Sequence, residues 1–161
     1  MDFKQILSFI KIEHTLFSLP FILVGYIVAN NQFNDLLDDK SIFSIDLFWI
    51  LVAAIGARGL AMTLNRIIDK DIDAANPRTA SRHLSSGTMS MNTAWILAGV
   101  FLVMLLFGAG MLNEIALMMS WLPVLAFVIY PYTKRFTWFC HLWLGLCLGL
   151  APAGAWLAIA G

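Results

Sequence analysis

Long apolar runs separated by short polar segments set the pattern of this chain. They fall at about residues 15–29, 47–64, 92–112, 115–129 and 138–161. Each predicts a helix of membrane-crossing length, and together they predict an all-α, polytopic transmembrane bundle of about five spans. The first run is short for roughly 30 Å of hydrocarbon. Its helix is therefore expected to begin nearer Ile6 and to carry Glu13 and His14 into the bundle, with Pro20 kinking it. Residues 1–13, which mix apolar groups with Asp2, Lys4, Lys11 and Glu13, suit an interfacial amphipathic turn. Asn113-Glu114 reads as a tight turn before the fourth run, which contains Pro123.

Composition supports the same class. The chain is 60% hydrophobic and only 12% charged, which a soluble core could not hide. Formal net charge is zero and no basic stripe with interleaved aromatics occurs, so nucleic acid is excluded as a partner. Cys140 and Cys147 lie seven residues apart in one apolar run, too far along one helix to bridge, and read as small apolar fillers. Trp49, Trp95, Trp138, Trp143 and Trp156 sit near span ends, as interface anchors do.

Lysine and arginine fix an orientation. The N-terminal segment, residues 65–87 and residues 130–135 alternate to one side and hold nearly all of these residues, whereas the opposite loops offer only Lys40 among Asp35, Asp38, Asp39 and Asp46. The rich side is expected to be cytoplasmic, which places the protein in the cell inner (cytoplasmic) membrane as a multi-pass protein in contact with the lipid bilayer. Arg58 interrupts the second span. A central arginine costs about 2.5–3.5 kcal/mol on insertion scales, so it is expected to point into the bundle near the face of Asn65.

Residues 65–87 carry a large share of the charge. If the second helix continues through them, Asn65, Asp69 and Asp73 recur every four residues on one face. Stacked carboxylates near a helix C-terminus repel each other and oppose the macrodipole. An amide and two carboxylates are ligands of the kind Mg²⁺ takes together with waters and a substrate phosphate. Lys70, Arg78 and Arg82 supply charge for that phosphate, Arg78 and Arg82 sharing a face if the segment between Asn76-Pro77 and Ser85-Ser86-Gly87 is helical. A solvated loop after a membrane span would also be charged; the regular four-residue spacing is what favours a metal site.

Asn65-x-x-x-Asp69-x-x-x-Asp73, followed by Arg78-Thr79, Arg82 and Leu84-x-x-Gly87, resembles the first aspartate-rich motif of the UbiA superfamily of intramembrane prenyltransferases. Tyr130-Pro131-Tyr132-Thr133-Lys134-Arg135 is similar to its Tyr-x-x-x-Lys signature. In detail both are most similar to the 4-hydroxybenzoate polyprenyltransferase branch, including forms associated with futalosine-route menaquinone. Arg66 departs from the pattern where Asp is common, and His83 where Pro is common. The resemblance implies Mg²⁺-dependent transfer of a polyprenyl group from a polyprenyl diphosphate to an aromatic acceptor in quinone biosynthesis. It implies that Asn65, Asp69 and Asp73 hold Mg²⁺ and act catalytically. Arg58, Arg78, Arg82 and Lys134 would hold phosphate oxygens, Arg135 would bind substrate, and Tyr130 would orient the acceptor or the metal cluster.

Members of that family fold as roughly nine spans and carry a second aspartate-rich motif on a later helix, so about five spans are expected here and the C-terminal helices are missing partners. On this reading residues 1–161 form the N-terminal part of such a domain and are inactive alone. A non-catalytic membrane fragment, or an assembly or transport partner whose charges only set topology, is the alternative. A CDP-alcohol phosphotransferase would need a denser Asp-Gly-x-x-Ala-Arg pattern, which the sequence lacks.

Overall fold

The computed structural model describes residues 3–33, 44–136 and 138–161, the side chains of residues 3–5 and 12–16 excepted. They form α1 (Phe3–Ile10), α2 (Ile12–Phe33), α3 (Ile45–Ile68), α4 (Lys70–Ala75), α5 (Met91–Gly110), α6 (Glu114–Met119), α7 (Trp121–Phe136) and α8 (Cys140–Ala160). Among the described residues four stretches are long and apolar enough to cross a membrane: α3, α5, α6 with α7, and α8. The apolar part of α2, Phe17–Phe33, is a fifth and shorter one. The protein is an all-α, multi-pass membrane protein. The acidic loop at residues 34–43 and the side chains of Glu13 and His14 lie outside the described residues.

Two helix pairs build the bundle. On α3 and α5, Gly59 meets Phe101, Gly56 meets Leu105 and Ala53 meets Gly108, so the two run antiparallel. The approach is too close for side chains: a Cβ on Gly56 would lie 2.5 Å from the Leu105 nitrogen, and one on Gly108 2.8 Å from that of Ala53. Small residues let membrane helices gain contact area where lipid removes the hydrophobic drive between them. On the other pair, Gly25 of α2 abuts Pro152 and Phe33 lies edge-on to Trp156, so α2 and α8 run parallel. The α7 helix joins the pairs, packing on both α3 and α8, with Trp143 Nε1 donating to the Ala126 carbonyl at 3.1 Å. Trp143 is thus held inside the protein rather than serving only as an interface anchor.

Helix ends are fastened by side chains, as they must be where lipid offers no hydrogen bonds. Ser44 caps α3 through Leu47 N and bonds the Tyr26 hydroxyl at 2.9 Å. Ser90 caps α5 through Thr93 N. Asn113 accepts from Ala116 N at 2.6 Å to cap α6 and donates to the Leu157 and Ala158 carbonyls at 3.1 and 3.0 Å, tying that end of α6 to the end of α8.

Three expectations from sequence are corrected. The first helix does not run unbroken from Ile6: Lys11 adopts φ 52° and separates α1 from α2. The break lets Phe9 and Ile10 join the α3–α5 core while α2 turns to α8. The fourth span does not stop before Tyr130. Its helix pauses at Ser120, where Pro123 cannot donate to the carbonyl four residues back, then continues through Pro131 to Phe136. Residues 76–90 form turns rather than a helix, so Arg78 and Arg82 share no helical face. Thr79 holds these turns to α4 by donating to the Asp73 carbonyl at 3.0 Å, and Ser85 donates to that of Lys70 at 3.2 Å.

The glycine contacts generate a matched pair of substitutions. Gly56→Ala should destabilise the bundle by about 1–3 kcal/mol, the range of an overpacked core. Gly99→Ala, whose Cβ meets nothing within 4 Å, should leave it unchanged or slightly firmer. Thermal melting of both variants in one detergent checks this; equal melting points would remove the close α3–α5 contact from the account.

Candidate active site

The end of α3 and the end of α7 meet at one face of the bundle. Helical pitch does carry Asn65, Asp69 and Asp73 along one line, although α3 formally ends between them. Asp69 turns with φ −95° and ψ 4°, yet its N–H still bonds the Asn65 carbonyl at 3.1 Å and its carbonyl accepts from Asp73 N at 2.8 Å. Asp69 and Asp73 are buried, at 1% and 7% exposure. Their like charges are separated by giving each its own cation.

Asp69 takes two from α7. Lys134 Nζ pairs with its Oδ2 and donates to Asn65 Oδ1 at 3.0 Å. Arg135 Nη2 lies 3.2 Å from its Oδ1 and donates to the Ile68 carbonyl at 2.8 Å. Because α7 stays helical past Pro131, Tyr130 and Lys134 fall one turn apart, with Nζ 5.9 Å from the tyrosine ring centroid. Asp73 takes its cation from the turns that follow, Arg82 Nη1 donating to Oδ2 at 2.6 Å. Arg78 stands exposed, its backbone N–H held by Asn76 Oδ1 at 3.0 Å.

Directly beneath lies a cavity of about 400 Å³ with mostly apolar walls. Arg58, Asn65 and Tyr130 line it, with Leu105, Phe127 and Cys147 among its apolar walls. Arg58 therefore faces the bundle interior, as its cost in lipid requires, and its Nε is buried without a hydrogen-bond partner. Asn65 belongs to both the charged cluster and the cavity, so the two are continuous.

Sequence reasoning missed a second group. Arg66 and His83, both departures from the family pattern, meet across α1. The Arg66 guanidinium lies 5.1 Å from the Phe9 ring centroid, and the same ring meets His83 edge-on at 6.1 Å. Arg66 is 5% exposed. Burial holds the His83 imidazole below its ordinary value, and nearby Arg66 and Lys11 add to this. Only the two departures themselves hinted at such a contact. Missed as well was the bond from Arg135 to the α3 backbone.

Among the described residues no three His, Cys, Asp or Glu side chains gather to form an all-protein metal cage. Two carboxylates and an amide do fit an ion that completes its shell with water and substrate phosphate. Cations and carboxylates already opposed, above an apolar hollow, can hold a charged head group with its hydrocarbon tail below.

Comparison with known proteins gives this arrangement its kin. The chain is 34% identical over 133 residues to a 4-hydroxybenzoate octaprenyltransferase of Shewanella sediminis, covering 73% of this chain and 44% of that one. It is 28% identical over 127 residues to an enzyme of the same name from Coxiella burnetii, covering 71% and 44%. Among solved structures, a UbiA homolog from Aeropyrum pernix K1 superposes with a TM-score of 0.80 at 36% identity, over 92% of this chain and 51% of that one. A digeranylgeranylglyceryl phosphate synthase shares the fold with a TM-score of 0.82 at 19% identity, over 96% and 52%. The chain thus spans about half the length of the proteins it matches. The profile of the UbiA prenyltransferase family runs from Ser18 in α2 to Gly161, across the helices that carry both the charged cluster and the cavity, and the chain belongs to that family.

Proposed function

We propose that this chain provides the diphosphate-binding part of a transferase that moves a polyprenyl group from a prenyl diphosphate to an aromatic acceptor resembling 4-hydroxybenzoate, in quinone biosynthesis. One observation carries the reading: paired carboxylates and cations stand at the mouth of an apolar cavity whose wall includes Arg58, its Nε buried without a hydrogen-bond partner. The names of the relatives support the acceptor, and their greater length is why the whole reaction is assigned to a protein with further helices.

A prenyl diphosphate ionises at its allylic carbon only when the leaving diphosphate is neutralised. Bound Mg²⁺ would supply part of that charge, with Asn65, Asp69 and Asp73 as its protein ligands. Lys134 and Arg82 bind the carboxylates through side-chain contacts alone, so each is able to turn to phosphate oxygens of the substrate. Arg78, exposed beside them, adds a further bidentate donor. The apolar walls keep water from the allylic cation. Arg58, about 10 Å deeper than Asn65 along the helix, holds the anionic end of a substrate, and Tyr130 at the cavity wall orients the ring.

Binding tests the reading. Farnesyl thiodiphosphate titrated into the detergent-solubilised chain should bind only with Mg²⁺. Asp69→Ala and Asp73→Ala should each weaken it about tenfold or more, as loss of charge-assisted contacts does, whereas Asp71→Ala, on the exposed side of α4, should not. Equal losses at all three positions would show that net charge, not the four-residue face, is at work. Mg²⁺-dependent transfer of a labelled prenyl group to 4-hydroxybenzoate, assayed in a protein that joins this chain to further helices, checks the reaction class.

The arginine-rich face is assigned to the cytoplasm on its charge bias. With Cys140 and Cys147 replaced by serine, a cysteine at Ser86 should react with an impermeant maleimide only from inside, and one at Gln32 only from outside. The opposite pattern would invert the topology.

A further inference from the structure

We infer that Arg135 is a positioning residue, which sets the Asp69 carboxylate by gripping the backbone of the turn that carries it. Its neighbour Lys134 touches only side-chain oxygens, those of Asn65 and Asp69. Arg135 differs. A single amino group, Nη2, donates to the Ile68 carbonyl at 2.8 Å and reaches Asp69 Oδ1 at 3.2 Å, so backbone and carboxylate are held to one another.

The grip falls where the backbone most needs one. The last carbonyls of a helix have no partner within it, and α3 ends at Ile68. The Asn65 carbonyl is taken by Asp69 N, and the Ile68 carbonyl is taken by Arg135. Asp69 itself stands outside helical geometry, so the direction of its side chain depends on how this turn is fixed. Arg135 is fixed in turn, its guanidinium lying 5.2 Å from the Tyr132 ring centroid. A lysine here would keep the charge and lose the planar group that the ring orients. The family resemblance implies substrate binding for Arg135 as for Lys134; the geometry separates the two, leaving Lys134 free to change partners while Arg135 stays with the protein.

The functional consequence rests on the diphosphate reading above, but the structural one does not. The test uses the whole chain in detergent, comparing wild type with Arg135→Lys, Arg135→Gln and Lys134→Gln. Hydrogen exchange at the amides of residues 69–75 should quicken about tenfold in both Arg135 variants, the worth of one charge-assisted hydrogen bond, and stay unchanged in Lys134→Gln. Binding of Mn²⁺ with inorganic pyrophosphate, followed by electron paramagnetic resonance, should weaken severalfold in Arg135→Lys although its charge is kept. Wild-type exchange in either Arg135 variant would overturn the inference. So would faster exchange spread evenly over α3 and α7, or unaltered Mn²⁺–pyrophosphate affinity in Arg135→Lys beside wild-type binding that is readily measured. If the wild-type chain binds no Mn²⁺–pyrophosphate, the diphosphate reading fails, and the exchange measurement alone decides the role of Arg135.

Discussion

The joint between Asp69 and the end of α7 holds one face of the bundle together. A carboxylate 1% exposed is costly to bury in a membrane protein without cations beside it, and Lys134 and Arg135 reach it from a helix more than sixty residues away in sequence. Of the two cations Arg135 also holds the α3 backbone, so it stays at Asp69 when Lys134 changes partners. The joint therefore fixes the register of α7 against α3, and that register brings Tyr130 and Asn65 to the same cavity.

Much of this was legible in sequence because the signals act over whole helices. A bilayer demands about twenty apolar residues per span, so composition located the spans closely even where individual ends were misplaced. The period of the helix carried Asn65, Asp69 and Asp73 along one line, and the interruption at Asp69 was too small to turn Asp73 away. Arg58 pointing inward followed from the cost of the alternative. Contacts between distant segments were not legible. Nothing local says that Arg82 pairs with Asp73 or that Arg135 bonds the α3 backbone. The ends misread at Lys11 and Pro131 share a cause: packing against other helices overrode the local signal. Lys11 takes an unfavourable φ because α1 and α2 serve different cores, and Pro131 loses one hydrogen bond inside a helix whose far end is anchored to Asp69.

The two departures from the family pattern also make sense together. Replacing a small acidic side chain by Arg66 puts a large cation on the side of α3 turned from the cavity, and the Phe9 ring covers it. His83 meets the ring from the turns that carry Arg82. The amphipathic α1 is thereby packed against the turns of residues 76–90, linking the N-terminal segment to the neighbour of Arg82 through contacts that a separate surface helix would lack.

At the opposite face, Asn113 has a role that concerns the membrane more than the chemistry. The cavity reaches from Asn65 down to Leu112, Ala116 and Ala158. Beside that end, Asn113 binds the end of α8 to the start of α6, donating to the Ala158 carbonyl and to that of Leu157, which also accepts from Gly161 N. One amide side chain thus clasps two helix ends, so the spacing between α6 and α8 at this face is set by hydrogen bonds rather than by lipid.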